Sequence, residues 1–134
     1  MTTPLDRLID ELNYPCLTKS ELDAFVAGEG LRLLFLTGDP VTNLETNDVA
    51  AILPELAKAF DGGFVAAVVG RAAEDRARER FQVWPVPSLL FVEHGRLIGR
   101  ISRVRDWQDY LDETRAIIDA VPPSATLIAR EGAQ

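Results

Sequence analysis

Apolar residues recur along this chain with two different periods, and the changes of period mark out its elements. Leu5, Leu8, Ile9 and Leu12 fall on one helical stripe behind Thr3-Pro4, an N-cap followed by a first-turn proline. After the brief extended piece Cys16-Leu17 comes Thr18-Lys19-Ser20-Glu21, a capping box that opens a helix with Leu22, Phe25 and Val26 inward. Gly28 and Gly30 end it. Leu31 to Leu36 is almost continuously apolar, as in a central strand covered on both faces. The connection from Thr37 to Asp48 is polar and acidic, carries no basic residue, and is expected to stay in solvent. A helix then follows through Val49, Ile52, Leu53, Leu56 and Phe60; Pro54 inside it removes one backbone donor and predicts a kink, and Asp61-Gly62-Gly63 stops it.

The second half repeats the alternation. Phe64 to Val69 reads as a second buried strand, and Ala73 to Phe81 as a short helix whose arginines and acids form a solvated face. Ser88–Val92 and Leu97–Ile101 flank Glu93-His94-Gly95-Arg96, which predicts a β-hairpin with Gly95 at positive φ. A last helix is expected from Asp106 to Ala120, with Trp107, Tyr110, Leu111, Thr114, Ile117, Ile118 and Val121 on its inner stripe, ended by Pro122-Pro123. This order predicts a central mixed sheet with helices on both faces, a single domain over 1–121, and a flexible tail over 122–134.

Composition narrows the chemistry. The 134 residues suit one domain, and a single cysteine, Cys16, with a single histidine, His94, exclude an internal disulfide and leave no material for a multi-cysteine metal site. No metal and no cofactor are expected. The net charge of −7 disfavours nucleic acid as a partner and favours a basic one, although an acidic surface also serves solubility. The apolar run Val65 to Val69 is far short of the roughly 20 residues that span a bilayer, so no membrane insertion is expected. An acid, Asp6, stands where a secretory leader carries bases, which points to a cytoplasmic location.

The segment Phe81-Gln82-Val83-Trp84-Pro85-Val86-Pro87-Ser88, with the hairpin and final helix after it, resembles the C-terminal half of thioredoxin. The resemblance implies a thioredoxin-like α/β fold in which Pro87 is the cis-proline. Matching Pro54 to the proline that kinks the thioredoxin active-site helix lays the redox motif over Thr46-Asn47-Asp48-Val49, where no cysteine stands. A dithiol switch needs two neighbouring sulfurs, so that reaction is excluded. Over Pro4 to Val121 the chain further resembles the HyaE/HupG hydrogenase expression proteins, through Phe35-Leu36-Thr37-Gly38-Asp39-Pro40, Thr46-Asn47-Asp48, Val83-Trp84-Pro85-Val86-Pro87 and the Trp107 helix. That resemblance implies a non-catalytic cytoplasmic accessory protein of [NiFe]-hydrogenase maturation. Its implied partners are the twin-arginine signal peptide of the hydrogenase small-subunit precursor and other hydrogenase accessory proteins.

Such a peptide offers a basic stretch and then an apolar run. Asp39, Glu45, Asp48 and Glu55 concentrate carboxylates that match guanidinium groups, although Asp39 and Asp48 also suit a turn and a helix cap. In thioredoxin-like proteins the residue before the cis-proline offers its backbone to an extended chain, which gives that role to Val86 beside Pro87. Trp84 supplies apolar area to the peptide or else packs in the core. Asp106, Asp109, Asp112 and Glu113, and likewise Arg96, Arg100, Arg103 and Arg105, are expected on solvated faces. Two rival readings remain open: a single-cysteine redox enzyme acting through Cys16, and a general interaction module unrelated to export.

Overall fold

The computed structural model describes residues 2–121; the expected tail at 122–134 lies outside the described residues. The elements run α1 (Pro4–Asp10), β1 (Cys16–Leu17), α2 (Lys19–Val26), β2 (Arg32–Leu36), α3 (Thr46–Ala59) and β3 (Val65–Val69). A 3-10 turn (Arg71–Ala73) then leads into α4 (Glu74–Phe81), β4 (Ser88–Glu93), β5 (Arg96–Ser102) and α5 (Trp107–Ala120). Local sequence signals explain most of these boundaries. Thr3 and Asp6 close a capping box on α1, Thr18 and Glu21 close another on α2, and Pro54 lies inside α3. His94 and Gly95 both take positive φ, 50° and 78°, so the hairpin closes on a two-residue turn of the kind that matches strand twist.

The five strands lie in the order β1-β3-β2-β4-β5. β1, β3 and β2 are parallel, whereas β4 runs antiparallel to β2 and β5 antiparallel to β4. This is the thioredoxin-like arrangement, and β2 is its central strand. Because side chains alternate along a strand, β2 feeds two cores at once. Leu33 and Phe35 pack with Leu89 and Phe91 beneath Leu8, Val49, Leu53 and Tyr110, while Leu34 and Leu36 pack with Leu90 beneath Leu22, Val26, Ala77 and Phe81. Thus α1, α3 and α5 cover one face, α2 and α4 the other.

Four expectations are corrected. Leu12 lies beyond the end of α1 and is exposed, because the helix stops at Asp10. Trp107 opens α5 with 43% of its surface exposed; the inner stripe of that helix starts one turn later, at Tyr110. The polar connection is not wholly in solvent, since Thr37 and Thr46 at its two ends are buried and bonded to each other. Nor is α4 merely a solvated face: Glu74 is buried on the side shared with Ala77 and Phe81.

Candidate functional site

The C-terminal ends of β2 and β3 open toward the loop that joins α4 to β4. Gln82, in the left-handed conformation, ends α4; Val83 is buried, and Trp84 and Pro85 turn outward, with 54% of Trp84 exposed. The Val86–Pro87 peptide bond is cis. The loop is held on both sides. Ser88 Oγ donates to the Pro85 carbonyl (2.7 Å) and the Arg103 N–H donates to the Pro87 carbonyl (2.7 Å). The backbone N–H and carbonyl of Val86 have no hydrogen-bond partner among the described residues, so they are open to an added strand.

The acidic residues separate into distinct environments. Asp39 Oδ1 accepts from the Val41 N–H (2.9 Å), an Asx turn that shapes the connection, and the residue lines an open cleft of about 410 Å³ with Gly38, Val86, Glu74, Asp75, Arg71 and Arg78. Glu45 is already engaged: Arg103 donates to both of its oxygens (3.1 and 2.6 Å), and the Val104 N–H adds a third bond (3.0 Å). Asp48 is exposed in the first turn of α3, where a negative charge suits the helix dipole; the N-cap position belongs to Glu45. Glu55 faces a different groove, between α1 and α3, beside Pro4, Leu8 and Lys58. Of the acids singled out from sequence, only Asp39 joins Val86 in the cleft.

Arg103 is a hub that charge patterning alone does not reveal. Its N–H holds Pro87, its carbonyl accepts from the buried Tyr110 hydroxyl (3.1 Å), and its guanidinium holds Glu45. The Arg103 hydrogen bonds, then the Val104 N–H, hold the Glu45 carboxyl below the usual glutamate range. A carboxylate with a lowered folded-state pKa contributes its stability above the unfolded value and loses it as pH falls through the folded one. Arg103→Ala is therefore expected to be less stable than the parent near neutral pH. Urea titrations from pH 7 to 3 should show that gap closing only below the usual glutamate range, and a gap that stays constant with pH would refute the assignment.

The position of the absent redox motif is filled by packing. Thr46 is fully buried and donates to the Thr37 carbonyl (2.7 Å), Asn47 Oδ1 accepts from the Leu5 N–H (3.0 Å) and so ties α1 to α3, and Val49 lies in the core. Cys16 is exposed on the edge strand β1, and partial burial followed by the nearby Glu21 charge push its thiol pKa upward, away from thiolate. Around the cis-proline end, by contrast, apolar side chains face solvent: Val41 and Leu44 are each 81% exposed, and Val104 and Trp107 partly so. Leu44 precedes Glu45 and Val104 follows Arg103, so the Glu45–Arg103 pair ties together the two segments that carry these exposed apolar residues.

Glu74 is the functional candidate that sequence reasoning passed over. Its carboxylate accepts from the Gly38 N–H (3.1 Å) and from Arg71 Nη1 (3.0 and 3.1 Å) on the floor of the cleft. The available signal was its spacing, since positions 74, 77 and 81 share one helix face and the other two are apolar.

Comparison with known proteins gives this cleft a context. The family model described as hydrogenase-1 expression protein HyaE matches residues 5–110. The chain belongs to the HyaE/HupG/HoxO family of hydrogenase expression/formation proteins. It is 42% identical over 115 residues to HupG of Rhodobacter capsulatus, covering 85% of this chain and 83% of the relative. It is also 42% identical over 116 residues to HoxO of Azotobacter vinelandii, covering 85% and 76% of the two chains. A crystal structure of a HupG protein from Rhodopseudomonas palustris superposes with a TM-score of 0.56 at 37% identity, covering 80% of this chain and 96% of that one. The HyaE/HupG assignment thus agrees with the thioredoxin-like sheet and places the protein among hydrogenase accessory factors. Among the described residues no helix is long and apolar enough to cross a membrane.

Proposed function

We propose that the protein is a non-catalytic chaperone of [NiFe]-hydrogenase maturation that binds the twin-arginine signal peptide of the small-subunit precursor in the cytoplasm, before export. The observation that carries this reading is the pairing of two surfaces at one end of the sheet. The unpartnered backbone of Val86 lies beside a cleft containing Asp39, Glu74 and Asp75, and exposed apolar groups, Leu44, Val104 and Trp84, adjoin the same loops. An extended peptide hydrogen-bonded at Val86 presents its arginines to the carboxylates and its apolar run to the exposed side chains. Exposed charge pairs contribute only about 0–1 kcal/mol each, so the acids chiefly orient the peptide, and apolar burial at about 25 cal/mol per Å² supplies most of the affinity.

Calorimetry with a small-subunit signal peptide and its twin-lysine variant tests the proposal. The arginine peptide is expected to bind on the order of tenfold more tightly, because only a guanidinium can make paired hydrogen bonds to a carboxylate. Equal affinity for both peptides, or binding of neither, would overturn it. The sealed Thr46 position and the raised Cys16 thiol pKa weigh against the single-cysteine enzyme as an alternative.

A further inference from the structure

The geometry points to Glu74 as the carboxylate that receives an arginine side chain of a bound peptide, in exchange for Arg71. This inference rests on the peptide-binding reading above and specifies where the guanidinium goes. Glu74 is the one charged residue that is buried among the described residues, with 5% of its side chain exposed. A carboxylate withdrawn from water persists only when it is paired and hydrogen-bonded, and here the Gly38 N–H and Arg71 do both. Glu74 therefore already holds a guanidinium.

Arg71 holds it incompletely. A single nitrogen, Nη1, lies between the two carboxylate oxygens, so the two-nitrogen fork that makes arginine–carboxylate pairs strong is not formed. The Arg71 side chain is 57% exposed on its 3-10 turn, so it can swing into solvent as an incoming guanidinium takes its place and keeps the buried carboxylate paired. A guanidinium brought in across the open cleft is free to approach with both nitrogens.

Two further features place a chain there. Gly38, which donates to Glu74, lies directly under Val86, so close that a Cβ on Gly38 would sit 2.7 Å from Val86 Cγ2. A strand added at Val86 therefore runs beside the carboxylate. Arg78 lines the same cleft, and its guanidinium is a donor for the carbonyl oxygens of an extended chain. Arg71 thus behaves as an internal competitor, and the apparent affinity for peptide is reduced by the fraction of time Glu74 is occupied.

The test is calorimetry of the twin-arginine peptide with the full chain and three variants. If Arg71 occupies Glu74 about nine-tenths of the time, Arg71→Ala should bind about tenfold more tightly. Arg76→Gln removes the same charge from the outer side of α4, where Arg76 pairs with Asp23, and should change affinity less than about twofold. Glu74→Gln should abolish the preference for the arginine over the lysine peptide; if that variant does not fold, the comparison of Arg71→Ala with Arg76→Gln still decides. Peptide binding by the parent with unchanged or weaker binding by Arg71→Ala, or equal tightening by Arg76→Gln, overturns the exchange and leaves peptide binding standing. Absence of binding by the parent and by Arg71→Ala alike overturns both.

Discussion

Replacing Gly38 by alanine is expected to lower stability by about 2–3 kcal/mol and to weaken peptide binding by about tenfold or more. Gly38 has φ of +71°, a region that costs an ordinary residue about 1–2 kcal/mol. Its new methyl would also sit 2.7 Å from Val86 Cγ2 and 2.8 Å from Asn43 Nδ2. Relieving those contacts pushes Val86 off the cleft. Gly62 is the control, because its φ is +77° but nothing lies within 4 Å of the added Cβ. Gly62→Ala should show only the backbone penalty, with peptide affinity unchanged. Urea titration and calorimetry on both variants make the comparison, and equal effects at the two sites would mean that the contact with Val86 does not set the cleft.

Phe91→Ala is expected to be the most destabilising of the substitutions considered, by about 3–5 kcal/mol. Phe91 is fully buried on β4, beside the central strand, and meets the Phe64 ring edge-on at 5.6 Å. Truncation removes that contact and leaves a cavity under α3 and α5 that neighbouring strands cannot close without breaking register. A domain of this size has about 5–15 kcal/mol in all, so the urea midpoint should fall steeply. Retention of the parent midpoint would show that the core relaxes far more than its packing implies.

The elements legible from sequence are those specified within a few residues of themselves. The apolar block at Leu31–Leu36 gave the central strand, and the N-cap at Thr3 and the capping box at Thr18 gave helix starts, whereas the cis bond at Pro87 came from the resemblance to thioredoxin. What escaped depends on distant partners. Glu74 bonds Gly38 across 36 positions, and Arg103 bonds Glu45 across 58; on a charge-rich helix or loop neither looks different from a solvated neighbour. The acidic group assembled along the chain was likewise dispersed by geometry. Glu55 lies beyond the first turns of α3 and turns toward α1, while Glu45 is taken by Arg103. Trp107 looked inward because helical spacing continues into a first turn that in fact projects past the sheet.

The burial of Thr46 reaches beyond the loss of one reaction. Among the described residues the sulfur atom belongs to Cys16, on the far edge strand, with β3 and β2 between it and the Pro87 loop of β4. Among the described residues, the surface around Val86 therefore presents no sulfur. On the proposed peptide-binding reading, capture and release of a chain at Val86 therefore involve no thiol–disulfide step by the described residues.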